Sequence, residues 1–95
     1  MIFRILPDHP ALPGHFPGRP IVPGVLLLDA VLQAAAKFRE HPPTRLLRAK
    51  FPAPVLPGEE VEITLDPRGA DRLAFTCRRG DTTVLLGELG WPTPP

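Results

Sequence analysis

From residue 61 onward, apolar and polar side chains alternate. Val61, Ile63 and Leu65 share one face of VEITLD (61–66), and Leu73, Phe75 and Cys77 share one face of RLAFTCR (72–78). This is the period-two signature of half-buried strands. TTVLLGEL (82–89) is a further strand, reached through the turn residues RGD at 79–81. The short connections at 67–71 and 79–81 predict antiparallel hairpins. TRLLRAKF (44–51) and IFRIL (2–6) read as two more strands, the latter stopped by Pro7 and the turn chemistry of Asp8 and Pro10. Between them the period changes. Pro23 fits the first turn of a helix, VLLLDAVLQAAAKFRE continues it to Arg39 or Glu40, and Pro42-Pro43 ends it. Through its first three turns Leu, Val and Ala point in every direction, which predicts a helix buried all round. One strand, a long loop, one helix and four strands make an α+β plan, an antiparallel sheet wrapped around one central helix.

Length and composition narrow this picture without redrawing it. A chain of 95 residues suffices for a single domain, 1–95, with a small core, and WPTPP (91–95) reads as a flexible tail. The 15 prolines and 8 glycines punctuate the apolar segments instead of interrupting them, so the chain reads as folded, with stiff loops. A net charge of +1 excludes a polycationic nucleic-acid binder. Basic residues nevertheless gather between Arg19 and Lys50, and Arg19, Arg45, Arg48 and Lys50 are candidates for docking an anionic partner. The longest apolar run, residues 20 to 28, is too short to span a bilayer, and no signal-length apolar region opens the chain. The lone Cys77 forms no disulfide framework and reads as a packed thiol, consistent with a reducing, cytoplasmic setting.

The candidate chemistry lies in and before the helix. Its first turn, Pro23-Gly24-Val25-Leu26, lacks a Ser, Thr, Asp or Asn cap, so its free N–H groups have no local side-chain partner. Gly24 leaves room for a carbonyl or oxyanion to approach that backbone, although water satisfies the same donors. Asp29 and Gln33 are four apart and share a face. Within a buried helix the carboxyl of Asp29 is expected to hold its proton more tightly than usual, and Gln33 to orient it. The alternative is a structural Asp satisfied by Gln33 and nearby backbone. His15 stands in a rigid Gly/Pro frame 14 positions earlier, a candidate general base or a structural histidine. His9 and His41 are read as structural, and Asp8, His9 and His15 match no specific metal-ligand spacing.

GHFPGRPIVPGVLLLDAVLQA (14–34) strongly resembles the active-site segment of the β-hydroxyacyl-acyl carrier protein dehydratases of the hotdog fold, and AKFPAPVLPGEEVEI (49–63) is similar to that family's strand–PV-PG-E/D–strand passage. The resemblance implies a hotdog fold and dehydration of 3-hydroxyacyl thioesters to trans-2-enoyl thioesters, in fatty-acid or polyene-type synthesis. It makes His15 the base that removes the α-proton and Asp29 the acid that protonates the departing hydroxyl. The Gly24 amide receives the thioester carbonyl, with Val25, Gln33 and Phe16 lining the substrate site. It implies no cofactor or metal, an acyl carrier protein as partner, and a homodimer or a heterodimer with another hotdog protein in which His15 of one chain faces Asp29 of the other. Asp stands where many members carry Glu, and only Met1–Leu6 precede the loop where members have a longer segment, a pattern closer to the short dehydratases of aryl-polyene-type pathways. Two other readings stay open: a non-catalytic hotdog subunit that binds acyl carrier protein or pairs with an active partner, and a thioesterase using the helix carboxylate.

Overall fold

The structure is a computed structural model, and it describes residues 1–5, 21–39 and 41–92. Five strands and one helix follow in the order β1 (Ile2–Phe3), α1 (Gly24–Phe38), β2 (Arg45–Lys50), β3 (Val61–Pro67), β4 (Arg72–Arg79) and β5 (Thr82–Gly90). All pairings are antiparallel and the sheet order is β1-β3-β4-β5-β2. The two predicted hairpins are present, each turning on a glycine with positive φ, Gly69 at 81° and Gly80 at 59°. β1 is shorter than the strand expected over 2–6. Beyond Phe3 the chain runs past the end of β3 and faces the turn before it, so Arg4 reaches Glu60 at 2.6 Å and the Ile5 carbonyl accepts from Gly58 N–H at 2.7 Å.

Register explains the core. Leu73 lies opposite Leu89, Phe75 opposite Gly87, and Cys77 between Ile63 and Leu85. These side chains stack on one sheet face and bury against Leu27, Val31, Ala34 and Ala35 of the helix. Full burial of each Leu or Phe contributes about 1.5–3 kcal/mol relative to exposure. Gly87 accommodates a crowded point. A Cβ there would overlap the Arg48 backbone carbonyl oxygen and stand 2.6 Å from Phe75 Cζ, next to the irregular register of β2 between Leu46 and Arg48.

Two expectations change. The helix is not buried all round: the sheet covers one side only, and Val25 (68 % exposed), Asp29, Leu32 (41 %), Gln33 and Ala36 lie on the other. Unbroken apolar composition cannot tell a helix enclosed by its own chain from one that keeps a greasy side open. Nor does a tail begin at residue 91. Trp91 is only 7 % exposed, its Nε1 donates to the His41 carbonyl at 2.7 Å, and the Arg39 guanidinium stacks on its ring at 4.5 Å. Arg39 Nη1 also donates to the Ala70 carbonyl at 2.6 Å, pinning the end of the helix to the β3–β4 turn. Residues 93–95 lie outside the described residues.

Candidate active site

The start of the helix is the first component. Pro23 occupies the N-cap position and makes no side-chain hydrogen bond. Its carbonyl accepts from Leu26 N–H at 3.0 Å. Among the described residues no bond from outside the helix reaches the Gly24 or Val25 amide, and this end of a helix carries partial positive charge. The Gly24 Cα lies against the Phe51 ring: a Cβ there would be 2.8 Å from Phe51 Cε1 and 3.0 Å from Cζ. A groove of about 460 Å³ runs beside it, lined by Pro23, Gly24, Leu27, Phe51, Ala53 and Val55 among others. The segment entering the helix is tied down by Val22 N–H, which donates to the Val55 carbonyl at 2.8 Å, both residues being buried.

Asp29 is the second component. Gln33 Nε2 donates to its Oδ2 at 2.8 Å, the geometry that the i, i+4 spacing predicts. Both side chains are exposed in the single chain, so the buried setting expected for Asp29 is absent there. Asp29 lies five positions beyond Gly24, about 7.5 Å along the axis. With one carboxylate oxygen engaged by the amide, the other makes no hydrogen bond among the described residues and can exchange a proton with a ligand. Val25, Asp29, Leu32 and Gln33 form one open stripe, polar chemistry set in an apolar surface.

Arg45, Arg48 and Lys50 lie on β2, the sheet's edge, and are all exposed. None of the three forms an ion pair among the described residues. His15, Phe16 and Arg19 lie outside the described residues, as do His9 and Asp8. Cys77 is fully buried, and desolvation pushes its thiol up from 9.0 to about 12, the packed role expected of it. The residues that brace the site were not singled out from the sequence. Phe51, and the pairing of Val22 with Val55, belong to a segment with prolines at 52, 54 and 57. Proline has no N–H, so such a segment depends on anchors from outside, and that dependence is the signal that could have marked it.

A family model for ApeI-like proteins, described as ApeI dehydratase, matches residues 1–88. The chain belongs to the ApeI-like dehydratase family. It is similar to the 3-hydroxyacyl-[acyl-carrier-protein] dehydratase FabZ of Haemophilus influenzae (strain PittEE), 40 % identical over 98 aligned positions that cover 93 % of this chain and 65 % of that protein. It also resembles FabZ of Anaeromyxobacter sp. (strain Fw109-5), at 36 % identity over 85 % of this chain and 58 % of the relative. The chain thus spans less than two thirds of the length of these curated relatives. Among solved structures, a chain of the dehydratase heterocomplex ApeI:P from Xenorhabdus doucetiae superposes with a TM-score of 0.80 at 24 % identity, covering 94 % of this chain and 81 % of that one. The fold of this family member is therefore the α+β hotdog arrangement expected from the sequence. Among the described residues, no helix is long and apolar enough to cross a membrane.

Proposed function

We propose that this chain eliminates water from 3-hydroxyacyl thioesters borne on an acyl carrier protein, in cytoplasmic fatty-acid or polyene-type synthesis. The observation that carries this reading is the pairing of an oriented carboxyl, Asp29 held by Gln33 at 2.8 Å, with an uncapped helix start at Gly24. In the proposed reaction the thioester carbonyl oxygen accepts from the Gly24 amide, which stabilises the enolate charge that grows as the α-proton leaves. His15, facing the carboxyl of the paired subunit, takes that proton. The C–H electron pair becomes the α,β double bond, the β C–O bond breaks, and the hydroxyl departs as water with a proton from Asp29. Val25 and Gln33, with Phe16, line the approach. Arg45, Arg48 and Lys50, with Arg19, receive the acidic carrier.

We further propose that a second hotdog subunit covers the open face of the helix and places its own histidine before Asp29. The exposed apolar side chains around Asp29 support this, and so does the name of the dehydratase heterocomplex ApeI:P, which describes an assembly of unlike chains. The test is incubation with a 3-hydroxyacyl-carrier protein, alone and with a co-expressed hotdog partner, followed by mass analysis of the product. An enoyl thioester lighter by one water is expected, and its formation should fall about 10²–10⁴-fold in Asp29→Asn. Release of a free acid, or no turnover with either preparation, would overturn the assignment.

A further inference from the structure

The helix start can receive a carbonyl only if the irregular segment beside it, residues 51–60, is held still. With Pro52, Pro54 and Pro57 removing donors, that segment has few bonds of its own. Its Glu59 N–H donates to the Leu56 carbonyl at 3.2 Å, and its Leu56 N–H donates to Glu59 Oε1 at 2.7 Å. One side chain from outside fastens this segment at two points. Arg79 Nη1, at the end of β4, donates to the Pro54 carbonyl at 2.6 Å and to Glu59 Oε1 at 3.3 Å. Both partners of the ion pair are largely covered, with side-chain exposures of 29 % and 32 %, so solvent screens it less than the open pairs elsewhere on the surface.

From this clamp a short physical path leads to the site. Pro54 precedes Val55, whose carbonyl accepts Val22 N–H at 2.8 Å, and Val22 stands two residues before Gly24. The same segment carries Phe51, whose ring lies against the Gly24 Cα. We propose that Arg79, with Glu59, is a positioning residue: it fixes segment 51–60 and through it the orientation of the Gly24 amide. It touches no substrate. An error of an ångström in a donor aimed at developing charge is catalytically costly, whereas the fold tolerates it. The catalytic part of this inference rests on the dehydratase reading; the mechanical part does not.

The test uses the full chain and two readouts. Amide hydrogen exchange reports whether the clamp holds the Val22–Val55 bond, independently of any activity. In Arg79→Met, which keeps the aliphatic stem and removes the donors, protection of the Val22 amide should fall about tenfold or more relative to that of β4 and β5 amides. The kcat per folded molecule should fall about ten- to hundredfold with KM changed little. Arg79→Lys should recover part of the kcat, and Glu59→Gln, a milder change should Arg79→Met not fold, should move both readouts the same way by a smaller factor. Arg72→Met, which loses an exposed arginine from the same strand, is the control that leaves both unchanged. Unaltered Val22 protection in Arg79→Met and Glu59→Gln would overturn the clamp. Lost protection with undiminished kcat per folded molecule would overturn its positioning role. A wild-type chain without dehydratase activity would instead sink the functional reading, and Val22 exchange would still decide the clamp.

Discussion

Replacing Gly24 with alanine sets a methyl group against the edge of the Phe51 ring, 2.8, 3.0 and 3.3 Å from Cε1, Cζ and Cδ1. The structure says what yields. Phe51 is 46 % exposed, so the ring can swing toward solvent without dragging backbone with it. Gly24 has helical backbone, which alanine adopts freely, and the smaller entropy of the unfolded alanine chain contributes about 0.4–1 kcal/mol to stability. Against this stands the displacement of a half-exposed ring, which costs about 1 kcal/mol, the low end of overpacking costs. The two nearly cancel, and for a domain of this size the melting temperature should move by no more than about 4–8 °C.

Activity should respond very differently. The methyl and the displaced ring narrow the groove beside the Gly24 and Val25 amides, where the thioester carbonyl must approach within hydrogen-bond distance. Losing one donor of this kind costs about 10²–10³ in rate, equivalent to about 2.7–4 kcal/mol. The assay is the absorbance of the conjugated enoyl thioester, with thermal melting monitored by circular dichroism on the same preparation. A Gly24→Ala protein that melts normally and keeps kcat/KM within about threefold of wild type would refute the argument that substrate meets the helix at this point.

Gly87→Ala should do the reverse: its Cβ meets the Arg48 backbone carbonyl, which cannot swing aside, so the cost should reach at least about 3 kcal/mol and lower the melting temperature by roughly 10–20 °C. Burial raises the Cys77 thiol from 9.0 to about 12, so above pH 9 the unfolded chain releases a proton that the folded chain keeps. Its contribution to stability is therefore complete below pH 9 and is lost as pH climbs toward 12, at up to about 1.4 kcal/mol per pH unit, a slope that denaturant titrations should find missing in Cys77→Ala. Reversing charge at Arg45 and Arg48 together should raise KM for carrier-bound substrate while sparing small thioester analogues, because exposed rim charges govern encounter more than chemistry. Mixing His15→Ala with Asp29→Asn chains under subunit exchange should restore roughly a quarter of wild-type activity if each site draws on two copies of this chain, and none if it draws on one.

Much of the fold was legible because strands bury one face and advertise it. Val61/Ile63/Leu65 and Leu73/Phe75/Cys77 alternate as half-buried strands must, and four of the five strands lie within a residue or two of their expected limits. What escaped was set by partners distant in sequence. β1 stops at Phe3 because β3 begins at Val61, and nothing in IFRIL announces where its neighbour ends. Trp91 is anchored by Arg39 and the His41 carbonyl, about fifty residues away, so it could not be told from the proline-rich residues that follow it. At the site, the Asp29–Gln33 hydrogen bond was legible from helical spacing alone. The Arg79–Glu59 pair was not, since arginine at a strand end is usually a solvated charge.

The exposure of Asp29 bears on how subunits could pair. Val25, Leu32, Leu46 and Phe51 retain between 41 % and 68 % of their accessible surface. Covering them recovers only about half of the 1.5–3 kcal/mol available to each side chain, roughly 3–6 kcal/mol for the four. Association itself costs about 4–15 kcal/mol in lost freedom. These four side chains leave little surplus over the lower end of that cost, so the pairing proposed for this chain gains from a second source of stability. β2 offers one: among the described residues it is an edge strand, hydrogen-bonded to β5 alone, with no strand on its other side. A partner that adds a strand to β2 would extend the sheet across both chains and bring its own loops to the stripe that holds Asp29.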